Sequence, residues 1–183
     1  MEHKEITLSN KSMQVQVLLD WDYKGSRYDW GGTVGQVTVN DHTFLSKEQN
    51  SDGTTGLGGV GLTNVWEWKD TSIYDRTSMA DYFPLPGVGL LKKADTSPFL
   101  FTKAYQVEPY HRQISITENS VMIRTLPYFC QNVAMETVKS YRIEENKLIV
   151  SFHITNTGAE EIHATEFCHN FFQFDNHTID ETY

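Results

Sequence analysis

Apolar side chains recur at every second position through much of this chain, and that period limits what it can fold into. In "MQVQVLL", Met13, Val15, Val17 and Leu19 alternate with polar neighbours, and "GQVTVND" continues the pattern at Val37 and Val39. "VAMETVKSYRI" puts Val133, Met135 and Thr137 in one phase. "KLIVSFHIT" places Leu148, Val150, Phe152 and Ile154 on one side, with Lys147, Ser151, His153 and Thr155 mostly on the other. A period of two marks strands that bury one face. Helical periodicity is nearly absent. Turn signals such as "TENS", "EENK" and "NTGAEE" punctuate the runs. The last two strands, 147–156 and 161–174, are expected to form a hairpin across "TNTGAEE". The expected class is all-β, a large antiparallel β-sandwich.

With 183 residues the chain is expected to form one domain, 1–183, long enough to bury a sizeable core. Its 39% of hydrophobic residues excludes disorder on composition. The formal net charge of −9 repels phosphate backbones, which argues against nucleic acid and anionic membranes as partners. A neutral small molecule is indifferent to that charge. "MEHKEITLSNKSMQVQVLLD" holds no apolar run of signal-peptide length, and nothing approaches a membrane span, so a cytoplasmic protein is expected. The two cysteines, Cys130 and Cys168, form no CxxC pair and suggest no disulfide framework.

The stretch 47–98 breaks the alternation. It is rich in Gly, Pro and Asp, carries Trp66 and Trp68, and is expected to form long loops with short strands. Such loops on a β scaffold either line a site or merely decorate it. "GLGGVG" matches G-x-G-x-x-G at Gly56, Gly58 and Gly61, but "NSDGTT" before it is a loop and "LTNVWEW" after it is strand-like. A dinucleotide site needs a strand before and a helix after, so a tight turn or close chain approach is the better reading. The seven histidines show neither H-x-H nor H-E-x-x-H spacing, so no metal and no cofactor are expected. Cys168 and His169 are strand neighbours that point to opposite faces, which argues against a Cys–His dyad.

"TEFCHNFFQFD", residues 165–175, sets a histidine among phenylalanines. By strand period Phe167, His169, Phe171 and Gln173 share one face, and Glu166, Cys168, Asn170, Phe172 and Phe174 the other. Both faces are apolar, so a central strand covered on both sides is expected. A histidine there either bonds a backbone group in the core or donates a proton at the floor of a cleft. The stretch "KLIVSFHITNTGAEEIHATEFCHNFFQFD" resembles the aldose 1-epimerase (galactose mutarotase-like) superfamily, whose "TNTG" strand is followed by one carrying "CHNFLSI" or a similar run. "GSRYDWGGTVGQVTVNDHTF" and "YFPLPGVGLLKK" resemble segments of a less-studied branch of that superfamily, in the same order.

The resemblance implies a sandwich with an open sugar cleft and interconversion of α and β anomers at the hemiacetal carbon, with a small-molecule sugar as the partner. It puts His169 at the general-acid position, where it would protonate the ring oxygen. It also points to Arg27, in "GSRYDW", as a residue that bonds sugar hydroxyls; a surface arginine is the alternative. His111, in "VEPYHRQ", is a further substrate-binding candidate that no motif carries over. Trp66, in "NVWEWKD", is a candidate for stacking on a sugar ring, with core packing as the alternative. The family's base, usually a glutamate, lies well downstream of the histidine strand, so the resemblance implies only the N-terminal part of the sandwich here. Glu166 faces away from His169, Asp175 lies too far along the strand, and Asp180 and Glu181 would have to fold back. A binding-only sandwich without catalysis is the second reading, and a structural β-domain with no ligand, in which His169 is a buried, bonded residue, is the third. An open sheet edge after residue 174 would favour self-association.

Overall fold

The computed structural model describes residues 4–20, 23, 25–48 and 56–177. Asp180 and Glu181 lie outside them. The strands run in chain order as β1 (Glu5–Ser9), β2 (Met13–Leu18), β3 (Thr33–Val39), β4 (His42–Thr43) and β5 (Leu62–Trp68). A short helix α1 (Ser72–Arg76) follows, then β6 (Tyr82–Leu85), β7 (Gly89–Lys92), β8 (Val107–Pro109), β9 (Arg112–Ile116) and β10 (Ser120–Thr125). The chain continues with β11 (Met135–Glu144), β12 (Lys147–Asn156) and β13 (Ala164–Asn170).

These strands build an all-β sandwich of antiparallel sheets. The first sheet runs β1-β2-β3-β5-β13, with β4 beside β3. The second runs β12-β11-β10-β9, and a third, smaller one runs β6-β7-β8. Alternation becomes burial as the period requires. Val15 and Val17 of β2 and Val121 and Ile123 of β10 face each other in one core cluster, with Ile6, Leu8, Tyr141 and Ile143. A second cluster packs Trp66 and Trp68 of β5 against Phe83, Leu85 and Leu91 of the small sheet. Gly61 shows what the glycine-rich run is for. Its φ is +58°, and a Cβ there would fall 1.8 Å from the Val34 carbonyl oxygen, so only glycine lets β5 start against β3. No helix among the described residues is long and apolar enough to cross a membrane.

Two expectations need correction. The last two strands do not pair with each other: β12 pairs with β11, and β13 pairs with β5 in the other sheet. The connecting loop is the cause. Thr157 and Gly158 donate backbone N–H groups to Ala134 O, and Ala159 and Glu160 donate to Asn132 O, which carries the chain across from one sheet to the other. Nor is β13 central. It is the edge of the first sheet, with Phe167 36% exposed and Cys168 exposed. Two apolar faces in sequence signalled cover on both sides, whereas here part of that apolar surface stays open.

Candidate functional site

Register separates the residues of β5 and β13 into two families. His169 pairs with Thr63 and Phe167 with Val65, facing outward, whereas Glu166 pairs with Trp66 and Cys168 with Asn64, facing the second sheet. The segment before β3 lies along β5. Tyr28 bridges to Val65, and the Asp29 N–H donates to Asn64 O at 2.9 Å. Its successive side chains also alternate, so Tyr28 joins the outward family and Asp29 the inward one.

On the outward side Tyr28 is fully buried and organises its neighbours. The His169 ring meets it edge-on, with centroids 5.8 Å apart, and stacks on Phe171 at 4.7 Å. The Arg27 guanidinium lies over the Tyr28 ring at 5.0 Å and over Phe101 at 5.7 Å. Tyr23 braces the backbone here, its hydroxyl accepting the N–H of Arg27 at 2.9 Å and of Tyr28 at 3.2 Å, and burial raises that phenol to about 12. The Tyr28 hydroxyl donates to Glu48 Oε2 at 2.9 Å, and the same oxygen accepts the N–H groups of Gly58 (2.8 Å) and Gly59 (3.1 Å). Burial pushes the Glu48 carboxyl up, but those two amides, the Tyr28 hydroxyl and the Arg27 charge outweigh it, and the net shift is downward. Burial and the bond to Glu48 push the Tyr28 phenol well above its ordinary range, so it stays neutral. Arg27 also donates from Nη1 to Gly56 O at 3.1 Å. Two buried nitrogens in this cluster have no hydrogen-bond partner among the described residues: Arg27 Nε and His169 Nδ1.

On the inward side no buried side-chain polar atom among the described residues lacks a partner. Lys139 Nζ sits 3.1 Å from Asp29 Oδ1, with the side chains 3% and 1% exposed. The ammonium also donates to Gly32 O at 3.3 Å, and Tyr141 OH donates to the same carbonyl at 3.1 Å. Asp29 accepts in addition the Gly31 N–H and, at 3.2 Å, Trp66 Nε1. Burial pulls the Lys139 ammonium down, but the Asp29 carboxylate, with Tyr141 and Glu166, more than restores it, and the net shift is upward. This is a closed ion pair tying the first sheet to the second.

The candidates from sequence therefore separate. Arg27 and His169 each contact the ring of Tyr28. Trp66 is buried at 3% exposure with its indole N–H held by Asp29, so its place is in the core and not against a solute. His111 sits at the start of the four-stranded sheet, exposed, with its carbonyl accepting the Leu126 N–H. Glu48 was not foreseen. Among the described residues no group of three or more His, Cys, Asp or Glu side chains could hold a metal ion. Comparison with protein-family models, with curated proteins and with solved structures gives no match for this chain.

Proposed function

We propose that the chain is an aldose 1-epimerase-like carbohydrate-binding protein whose site is the outward cluster of Arg27, Tyr28, Glu48 and His169. The observation that carries this is the meeting of Arg27 and His169, distant in sequence, around one tyrosine ring, each with a buried nitrogen left unpaired. Buried polar atoms without partners are rare in folded proteins, and a polyol supplies the hydroxyls that would satisfy them. Aromatic rings around a polar patch also suit a sugar, whose faces are apolar and whose edges are polar.

In this reading Arg27 donates to sugar hydroxyls and His169 delivers a proton to the ring oxygen as the hemiacetal opens. The second proton must leave the anomeric hydroxyl. Glu48 is the carboxylate of the cluster, but three donors already occupy its Oε2 and hold its basicity down. That observation favours a second reading, a carbohydrate-binding sandwich that does not turn over its ligand.

Anomer exchange by NMR tests the first reading. Fresh α-glucose and α-galactose are added to the parent and to His169→Gln. Acceleration in the parent that is lost in the variant supports catalysis. Absence of acceleration, together with sugar-induced quenching of Trp30, which packs against the Tyr28 cluster, supports binding alone. Absence of both ends the sugar reading.

A further inference from the structure

β12 and β13 each end a sheet, and they end it on the same side of the sandwich. The Trp66 ring meets Phe152 of β12 edge-on, with centroids 6.0 Å apart, and the cross-strand partner of Trp66 is Glu166 of β13. Phe152 of β12 therefore lies over the β5–β13 pair of the other sheet. On the free side of each strand the alternate backbone N–H and C=O groups have no strand partner among the described residues.

The inward phase of β12 runs past its cover. Leu148 and Phe152 pack into the two core clusters, but Val150 and Ile154, in the same phase and opposite buried Tyr141 and Thr137, are 51% and 43% exposed. An edge strand of ten residues with half-buried apolar side chains is a template for another strand.

We propose that the occupant is a second copy of this chain, joined through β12 about a twofold axis at Phe152. Antiparallel pairing of β12 with itself in that register sets Val150 opposite Ile154 of the second copy, so the two most exposed inward side chains cover each other. Outside, Ser151 falls opposite His153, and Lys147 opposite Thr157, so no like charges meet. The pairing is isologous, as one twofold axis requires. The inference rests on the edges and their register and not on the sugar reading.

The experiment is sedimentation velocity over a concentration series in about 0.15 M salt, where the Debye length of about 8 Å screens the net negative charge. The parent should pass from monomer to dimer with rising concentration. Val150→Lys changes an exposed position and should weaken the dimer at least about tenfold, because each lysine would face Ile154 of the other copy. Register is read by oxidation of the double variant Val150→Cys/Ile154→Cys in a Cys168→Ser background. Facing strand residues lie about 4.5–5.5 Å apart at Cα, within disulfide reach. Covalent dimer should form there, and not with Val150→Cys alone, whose two copies would lie four residues out of register. A parent that stays monomeric at every concentration overturns the proposal. So does a dimer indifferent to Val150→Lys, or one that fails to cross-link in the double variant.

Discussion

Tyr28 and Asp29 are neighbours in sequence and stand at the centres of two very different regions. Asp29 points between the sheets, where Lys139, Trp66 and the Gly31 N–H satisfy its carboxylate. Tyr28 points the other way, into a cluster that contains a cation, a carboxylate and an imidazole and in which Arg27 Nε and His169 Nδ1 have no partner among the described residues. The inward region is closed: its charges cancel, and its function is to join two sheets. The outward region is not closed in that way: among the described residues two of its buried nitrogens have no partner. A count of charged or aromatic residues would not distinguish them. What distinguishes them is whether each buried polar atom has found its partner.

That contrast can be broken at several points. The largest effect belongs to the closed region. Lys139→Met leaves the Asp29 carboxylate buried without its cation and should cost about 3–5 kcal/mol in urea unfolding. The double change Asp29→Asn/Lys139→Met removes both charges while keeping an acceptor for Trp66, and should cost less than Lys139→Met alone. If the double variant is the less stable of the two, the region is held by something other than the pair.

In the open region, His169→Gln should reduce any anomer exchange about 10²–10⁴-fold, the usual range for a lost general acid. Its stability should fall only by the lost ring contacts with Phe171 and Tyr28, about 0.5–1.5 kcal/mol each, because the imidazole gives up no hydrogen bond at Nδ1. A large loss of stability would make His169 a core residue instead.

Glu48→Gln lies between the two regions in effect. The carboxylate clamps Tyr28 and the Gly58–Gly59 turn through charge-assisted bonds, each worth about 1.5–3 kcal/mol, and a neutral amide keeps only part of that. The sign of its pH dependence follows from its lowered value. The stabilisation is fully present above the ordinary carboxyl value of about 4.3 and is lost as pH falls through the lower folded value. A urea midpoint followed from pH 6 down to about pH 3 should fall more steeply in the parent than in Glu48→Gln. Parallel curves would remove Glu48 from the account.

The smallest effect is expected at Arg27. Arg27→Met keeps some packing on Tyr28 but loses the guanidinium donors, and should weaken sugar-induced quenching about tenfold, or 1.4 kcal/mol.

Much of the fold was legible in the sequence because burial on one face writes itself as a period of two: β2, β10 and β11 bury alternate residues as their spelling implies. The pairing of β12 and β13 was not legible. It depends on a loop whose backbone bonds to Asn132 and Ala134, and no local pattern records those bonds. The helix α1 is five residues long, too short to show a period. Within the site, Arg27 and His169 were found through a resemblance, not through spacing. Glu48 was hidden in a polar stretch without alternation, and only its partners across the loop mark it out. Lys139 did carry a signal. It occupies the same phase of "METVKSYRI" as Met135, Thr137, Tyr141 and Ile143, and a lysine in a buried phase demands a counter-charge.

The central claim is that the outward cluster is open to a polyol while the inward pair is closed. Imidazole ¹⁵N NMR of the labelled protein during a galactose titration tests it most directly, with His169→Gln fixing the assignment and the Lys139 side-chain signal followed in parallel. The account expects the His169 Nδ1 resonance to move saturably with sugar while Lys139 stays fixed. A His169 resonance that stays still at millimolar sugar, or a Lys139 signal that moves in step with it, would contradict the account.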